Sequence, residues 1–234
     1  MGDGMGLRVL CGQRVVSLLA GMALTFLAIP HFLSAQAALS GNEAMSLLRE
    51  GHRVAAPGIG RAIESRMAAL EYLDAGDRHA DLALTALSMA YANMHADSKH
   101  AEEETQEALL QARRAVVLAP AEAVSWYHLA HAAAMLGENR LASAALHASH
   151  VASGFLPYLD ANRVQLALAL GRGLSQAGRD DLKLEMLRLL DSNPSMLAGW
   201  LQRANGWATA ESLLPGHVVR LIKLRSGSIT AHAN

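Results

Sequence analysis

Two histidine pairs are the residues whose type and spacing first suggest chemistry: His128 with His131, and His147 with His150. Residues three apart share a helix face, and neutral imidazole is the commonest transition-metal ligand, so the four rings are candidate metal ligands of an exported metal-binding protein. Against this, no carboxylate stands at ligand spacing beside them in the sequence, and His128 and His147 fall on positions expected to point outward. A second candidate is Tyr127 with His131, four apart and on one helix face. A tyrosine joins a flat apolar ring to a hydroxyl tip, which suits a peptide or a sugar, and these two are the expected lining of a partner-binding groove.

Other patterns carry less chemistry. Gly58-Ile59-Gly60 has no preceding strand and lacks the remaining glycine of a phosphate-cradling fingerprint, so it reads as a connector. Gly173 to Gly178 is one residue too long for a nucleophile elbow and reads as a helix end. Glu102, Glu103 and Glu104 suit the first turn of a helix, where the dipole favours acids; there they would be solvated, with nothing to raise the pKa of one. The single cysteine, Cys11, excludes an intrachain disulfide and a cysteine zinc site. No catalytic residue and no cofactor is expected, and the rival reading as a helical glycan-processing enzyme lacks a paired acid and base.

The elements that hold these residues are helical. Apolar residues make up 52% of the chain, enough to build a core, while aromatics are only 4% and good helix formers abound. A net charge of -1 gives no basic excess for counterion release, which argues against a nucleic-acid partner.

From Val15 to Asn42 there is no charged residue, and the hydrocarbon run is long enough to cross a bilayer. Arg8 and Arg14 precede it, so the expected layout is a cytoplasmic segment at 1–14 and a transmembrane anchor at 15–39. A linker at 40–60, a helical domain at 61–225 and a flexible tail at 226–234 follow. The expected location is the inner membrane, single-pass, with the carboxy-terminal domain in the periplasm. The alternative is a signal peptide cleaved after Ala37, because Ala35-Gln36-Ala37 has the small residues of a cleavage site and Pro30 would break the helix before it. That outcome leaves the rest soluble in the periplasm. A buried core helix is disfavoured because the run is apolar on every face.

Beyond the linker, Ile63, Met67, Leu70 and Leu73 predict a helix from Arg61 closed by Gly76, and a second helix is expected over 80–94. The polar tract from Asp97 to Glu104 reads as a solvated loop and helix start. Pro120 precedes Trp126 by six residues, Pro194 precedes Trp200 by six, and the two pairs lie 74 residues apart. That spacing is two repeats of about 34 residues with a short insertion. Trp126, Leu129, Ala130, Gly137, Ala142, Leu146 and Trp200 form the expected packing set, with large residues filling gaps and small ones letting helices approach. The Val124 to Ser153 stretch resembles a tetratricopeptide (TPR) hairpin. The expected fold is all-α: a membrane or signal helix followed by an α-solenoid of about three degenerate TPR-like hairpins.

As a whole the layout is similar to VpsP-like bacterial polysaccharide-biosynthesis-associated membrane proteins. The resemblance rests on the amino-terminal apolar segment, the helix Arg61-Ala62-Ile63-Glu64-Ser65-Arg66-Met67-Ala68-Ala69-Leu70-Glu71-Tyr72, and the Ala-Pro-x-x-Ala-x-x-Trp segment ending at Trp126. It implies a non-catalytic scaffold or adaptor of the cell envelope, binding a protein partner in exopolysaccharide assembly or export.

Overall fold

Most of the uncharged stretch lies in one long helix, α1, which spans Gly4–Ala38, takes in Arg8 and Arg14 and continues through Pro30. In this computed structural model the backbone is described for residues 4–230 and the side chains for residues 18–225, so Cys11, Arg8 and Arg14 lie outside the described side chains. Pro30 removes one amide donor without ending the helix, and Ala35-Gln36-Ala37 is helical. The helical run Leu18–Arg49 contains a window of mean hydropathy 1.8 of which 6% is buried. That exposure separates α1 from a core helix. It is long and apolar enough to cross a membrane or to act as an export signal.

The chain divides into two units, Met1–Arg78 and His79–Asn234. In the first, α1 passes through a single 3-10 turn into α2 (Asn42–Arg49), and α3 (Ala56–Tyr72) packs on both. The segment 40–60, expected to be a linker with a short helix around 44–50 and a turn-rich connector after it, contains α2 and the first turn of α3. Its prolines and glycines do not prevent this, because Pro57 sits in the first turn of α3, where a missing N–H costs no intrahelical bond. The helix expected from Arg61 starts five residues earlier and ends at Tyr72, before Gly76. Gly41 is buried where a Cβ would stand 2.8 Å from the Ala62 Cα, so its lack of a side chain permits the contact with α3. Arg66, 1% exposed, donates to the Ala38 carbonyl at the end of α1 at 2.7 Å and to Asn42 Oδ1 at 2.9 Å.

The second unit runs through α4 (Gly76–Asn93, within it from His79), α5 (Ser98–Leu118), α6 (Ala123–Met135), α7 (Asn139–Ala152), α8 (Pro157–Leu170), α9 (Gln176–Ser192), α10 (Pro194–Arg203), α11 (Trp207–Leu213) and α12 (Gly216–Thr230). No strand occurs among the described residues. The polar tract after Asp97 is the start of α5 itself, with Asp97 Oδ1 accepting from the His100 N–H at 3.0 Å as the amino-terminal cap. Ala83 and Ala86 of α4, Ala108 and Ala112 of α5, and Ala130 and Ala133 of α6 are all buried in one core, and their size lets the helices approach closely.

Helices α6 and α7 form the most closely joined pair, turning through Gly137 at φ +75°, a left-handed conformation that favours glycine. Leu129, Ala130, Ala142 and Leu146 are buried between and around them, Trp126 is half-buried against the core, and Trp200 is buried on α10. The two Pro-to-Trp spacings occupy different structural places. Pro120 lies in the turn before α6, whereas Pro194 is the first residue of α10. After Trp200 the helix is broken at Asn205 (φ +50°) and Gly206, giving the two short helices α10 and α11. The tail expected from 226 falls partly within α12, and residues 231–234 lie outside the description.

Candidate functional site

Three helices of the second unit surround an open cavity of about 430 Å³. From α6, Tyr127, His131, Ala134 and Met135 recur at four- and three-residue steps along one face. From α8, Asn162, Gln165, Leu166 and Ala169 do the same. Tyr91 of α4 completes the lining. The two residues singled out in the sequence, Tyr127 and His131, thus stand together in the wall of the cavity.

His131 is held between two phenols. Its Nε2 makes a short hydrogen bond with the Tyr91 hydroxyl, and its Nδ1 lies 3.3 Å from the Tyr127 hydroxyl. The ring centroids of Tyr91 and Tyr127 stand 5.4 and 5.6 Å from that of His131. Burial lowers the His131 pKa to about 4. Burial raises that of Tyr127, with a smaller contribution from nearby Tyr91, and burial also raises that of Tyr91. All three are therefore uncharged at neutral pH. A neutral imidazole carries one N–H, so one phenol donates to His131 while the other accepts from it and keeps its own O–H to offer elsewhere. No charged side chain lines the cavity. The wall can hydrogen-bond and stack on uncharged groups, and an imidazole with so low a pKa is a weak base at neutral pH.

A second cluster joins α7, α8 and α9. His147 Nδ1 lies 2.7 Å from Asp181 Oδ2, His150 Nε2 lies 3.6 Å from Asp181 Oδ1, and His150 Nδ1 lies 3.2 Å from Glu185 Oε1. The carboxylates absent from the neighbouring sequence thus arrive from α9, more than thirty residues on. Arg163 of α8, 1% exposed, donates to the Ser149 carbonyl at 2.5 Å, the Ser153 carbonyl at 3.0 Å and Asp160 Oδ1 at 3.4 Å. It also pairs with Glu185 Oε1 at 3.6 Å. Desolvation raises the Glu185 pKa to about 8, with Arg163 opposing, and desolvation lowers that of His150, with Asp181 opposing.

The four histidines are not brought together. His131 belongs to the cavity, while His147 and His150 face α9. His128, expected to point outward, is 6% exposed, because helices pack on more than one side of α6 and its buried residues cover most of its circumference. Among the described residues no group of three or more His, Cys, Asp or Glu side chains is placed to hold a metal ion.

Sequence reasoning missed Tyr91, Asn162 and Gln165, which come from helices distant in sequence from α6, and it missed Arg163, Asp181 and Glu185. The last two left a trace: they are four apart, and they flank the apolar face formed by Leu182 and Met186. Comparison with protein-family models, with curated proteins and with solved structures finds no match to the chain.

Proposed function

We propose that this chain is a non-catalytic scaffold that holds an extended segment of another protein across the cavity formed by Tyr91, Tyr127 and His131. The observation that carries this reading is the cavity itself. It is open and uncharged, and it presents two phenols and two side-chain amides around an apolar wall. Asn162 and Gln165 each offer both donor and acceptor, the complement of a peptide main chain.

The scaffold works at a membrane, with α1 retained as its anchor. Retention is supported by the burial of Ser34 within the first unit, on the segment that cleavage would remove. Cleavage after Ala37 would remove the segment that packs on α3. The similarity of layout to VpsP-like proteins supports a partner from a bacterial polysaccharide-assembly system in the envelope.

In-cell crosslinking followed by purification and mass spectrometry tests both parts. The expected result is a protein partner captured by the native chain and lost from a Tyr127→Ala, His131→Ala double variant of unchanged helicity and melting temperature. Undiminished capture would sink the groove assignment. The intact mass of the same sample reports the anchor: a mature chain beginning at Ala38 would refute retention.

A further inference from the structure

Helix α8 presents two occupied faces. Asn162, Gln165, Leu166 and Ala169 line the cavity, while Arg163 and Ala167 help to enclose a much smaller space with Leu146 and His150 of α7 and Asp181 and Glu185 of α9. The residues on this second face position those on the first. Arg163 is bound to the last turn of α7 through the Ser149 and Ser153 carbonyls and to α9 through Glu185.

Glu185 is 2% exposed, and charged or titratable groups face it from every helix of this seam. His150 approaches from α7, Arg163 and Asp160 from α8, and Asp181 and Arg188 from its own helix. With Glu185 and His150 neutral, two carboxylates, Asp160 and Asp181, balance two guanidiniums, Arg163 and Arg188. His147 also stands against Asp181, and ionising Glu185 adds a further negative charge on a carboxyl that is itself 2% exposed, where unbalanced charge is costly.

We propose that Glu185 is a proton-controlled latch on α8: when it gains its negative charge the α7–α8–α9 seam loosens, and the binding cavity on the other face of α8 changes with it. This rests on the reading of the cavity as the binding site, whose regulation it supplies. The raised pKa of Glu185, about 8, puts the transition just above neutral pH. Protonation of His150, disfavoured by burial and by both guanidiniums, does not interfere in that range.

The cavity residues make the test clean, because none titrates there: His131 does so near 4, and both phenols only above their ordinary value of 10. The full-length chain in detergent micelles, labelled in its tyrosine and histidine rings, is followed by NMR from pH 6 to 9.5. The expected result is an inflection near pH 8 in the Tyr127 and His131 ring signals, absent from Glu185→Gln, which retains the low-pH shifts throughout. Flat wild-type signals, or an inflection that survives Glu185→Gln, would overturn the latch. If that variant does not fold, amide exchange of the native chain decides. Protection of the Leu166 and Ala167 amides must fall across the same interval by more than the intrinsic base-catalysed rise, and no excess loss overturns the proposal. Crosslinking to the partner, run at pH 6.5, stays dependent on Tyr127 even if the latch fails, so the two ideas fall separately.

Discussion

The indole Nε1 of Trp126 donates to the carbonyl oxygen of Pro120 at 2.8 Å, six residues back along the chain. This bond gives the Pro-to-Trp spacing a physical purpose, since it fastens the first turns of α6 to the turn that leads into them. Replacing Trp126 with phenylalanine keeps most of the ring packing and removes the donor. The expected cost is about 0.5–1.5 kcal/mol, the usual net worth of such a bond. Urea unfolding followed by circular dichroism measures it, and an unchanged midpoint would show that the bond contributes nothing.

Arg163 is the buried charge on which three helices converge. Arg163→Met would leave the Ser149 and Ser153 carbonyls without this donor and strip Asp160 and Glu185 of their nearest guanidinium. Removing one partner of a buried pair costs about 3–5 kcal/mol, so the variant should melt far below the native chain. Arg203→Met, on an exposed position of α10, should stay within about 0.5 kcal/mol. Equal melting temperatures for the two variants would contradict the assignment.

Acid stability should depend on His131. Its pKa in the folded chain, about 4, lies below the ordinary 6.5, so the folded state holds the neutral ring more strongly than the unfolded state does. The stabilisation is fully present above 6.5 and is lost as pH falls from 6.5 through 4, an effect of about 1–3 kcal/mol. Glu185 acts with the opposite sign, since its raised pKa gives stability present below the ordinary 4.5 and lost as pH rises through 8. The informative quantity is therefore the difference between the native chain and His131→Gln, measured by denaturant unfolding at pH 7.5 and pH 4.5. The native chain should lose the greater stability over that interval, and parallel losses would refute the lowered pKa.

Gly41 and Gly60 should respond oppositely to alanine. At Gly41 the new methyl would meet the Ala62 backbone, which cannot move aside as a flexible side chain would, so a loss of about 1–3 kcal/mol is expected. At Gly60, inside α3 with open space around it, alanine should stabilise by about 0.5–1 kcal/mol through helix propensity. Thermal melting of both variants checks the pair, and a neutral Gly41→Ala would disprove the close approach.

The helical character of the chain was legible because composition and periodicity are local properties. Tyr127 and His131 could be singled out because both lie on one helix face, one turn apart. Their neighbours could not, since what brings Tyr91 and Gln165 to the same cavity is the packing of α4 and α8, which no spacing along the chain encodes. The outward placement expected for His128 failed for a related reason: a repeat frame supposes a free face, and α6 is covered on more than one side. The equal Pro-to-Trp spacings also suggested equivalent positions, yet Asn193 starts α10 at Pro194 itself by capping the Met196 N–H. Local capping chemistry thus overrode the count of residues.

Arg66 and Gly41 together have a mechanical consequence. The end of α1 is joined to α3 by the Arg66 bond to the Ala38 carbonyl and by the close contact at Gly41, as well as by the intervening chain. Tension applied along α1 therefore passes sideways into α3 at this clasp, and the loop between α2 and α3 carries no load until the clasp breaks. A pull on α1 would be felt first by a buried guanidinium rather than by the slack chain beyond it.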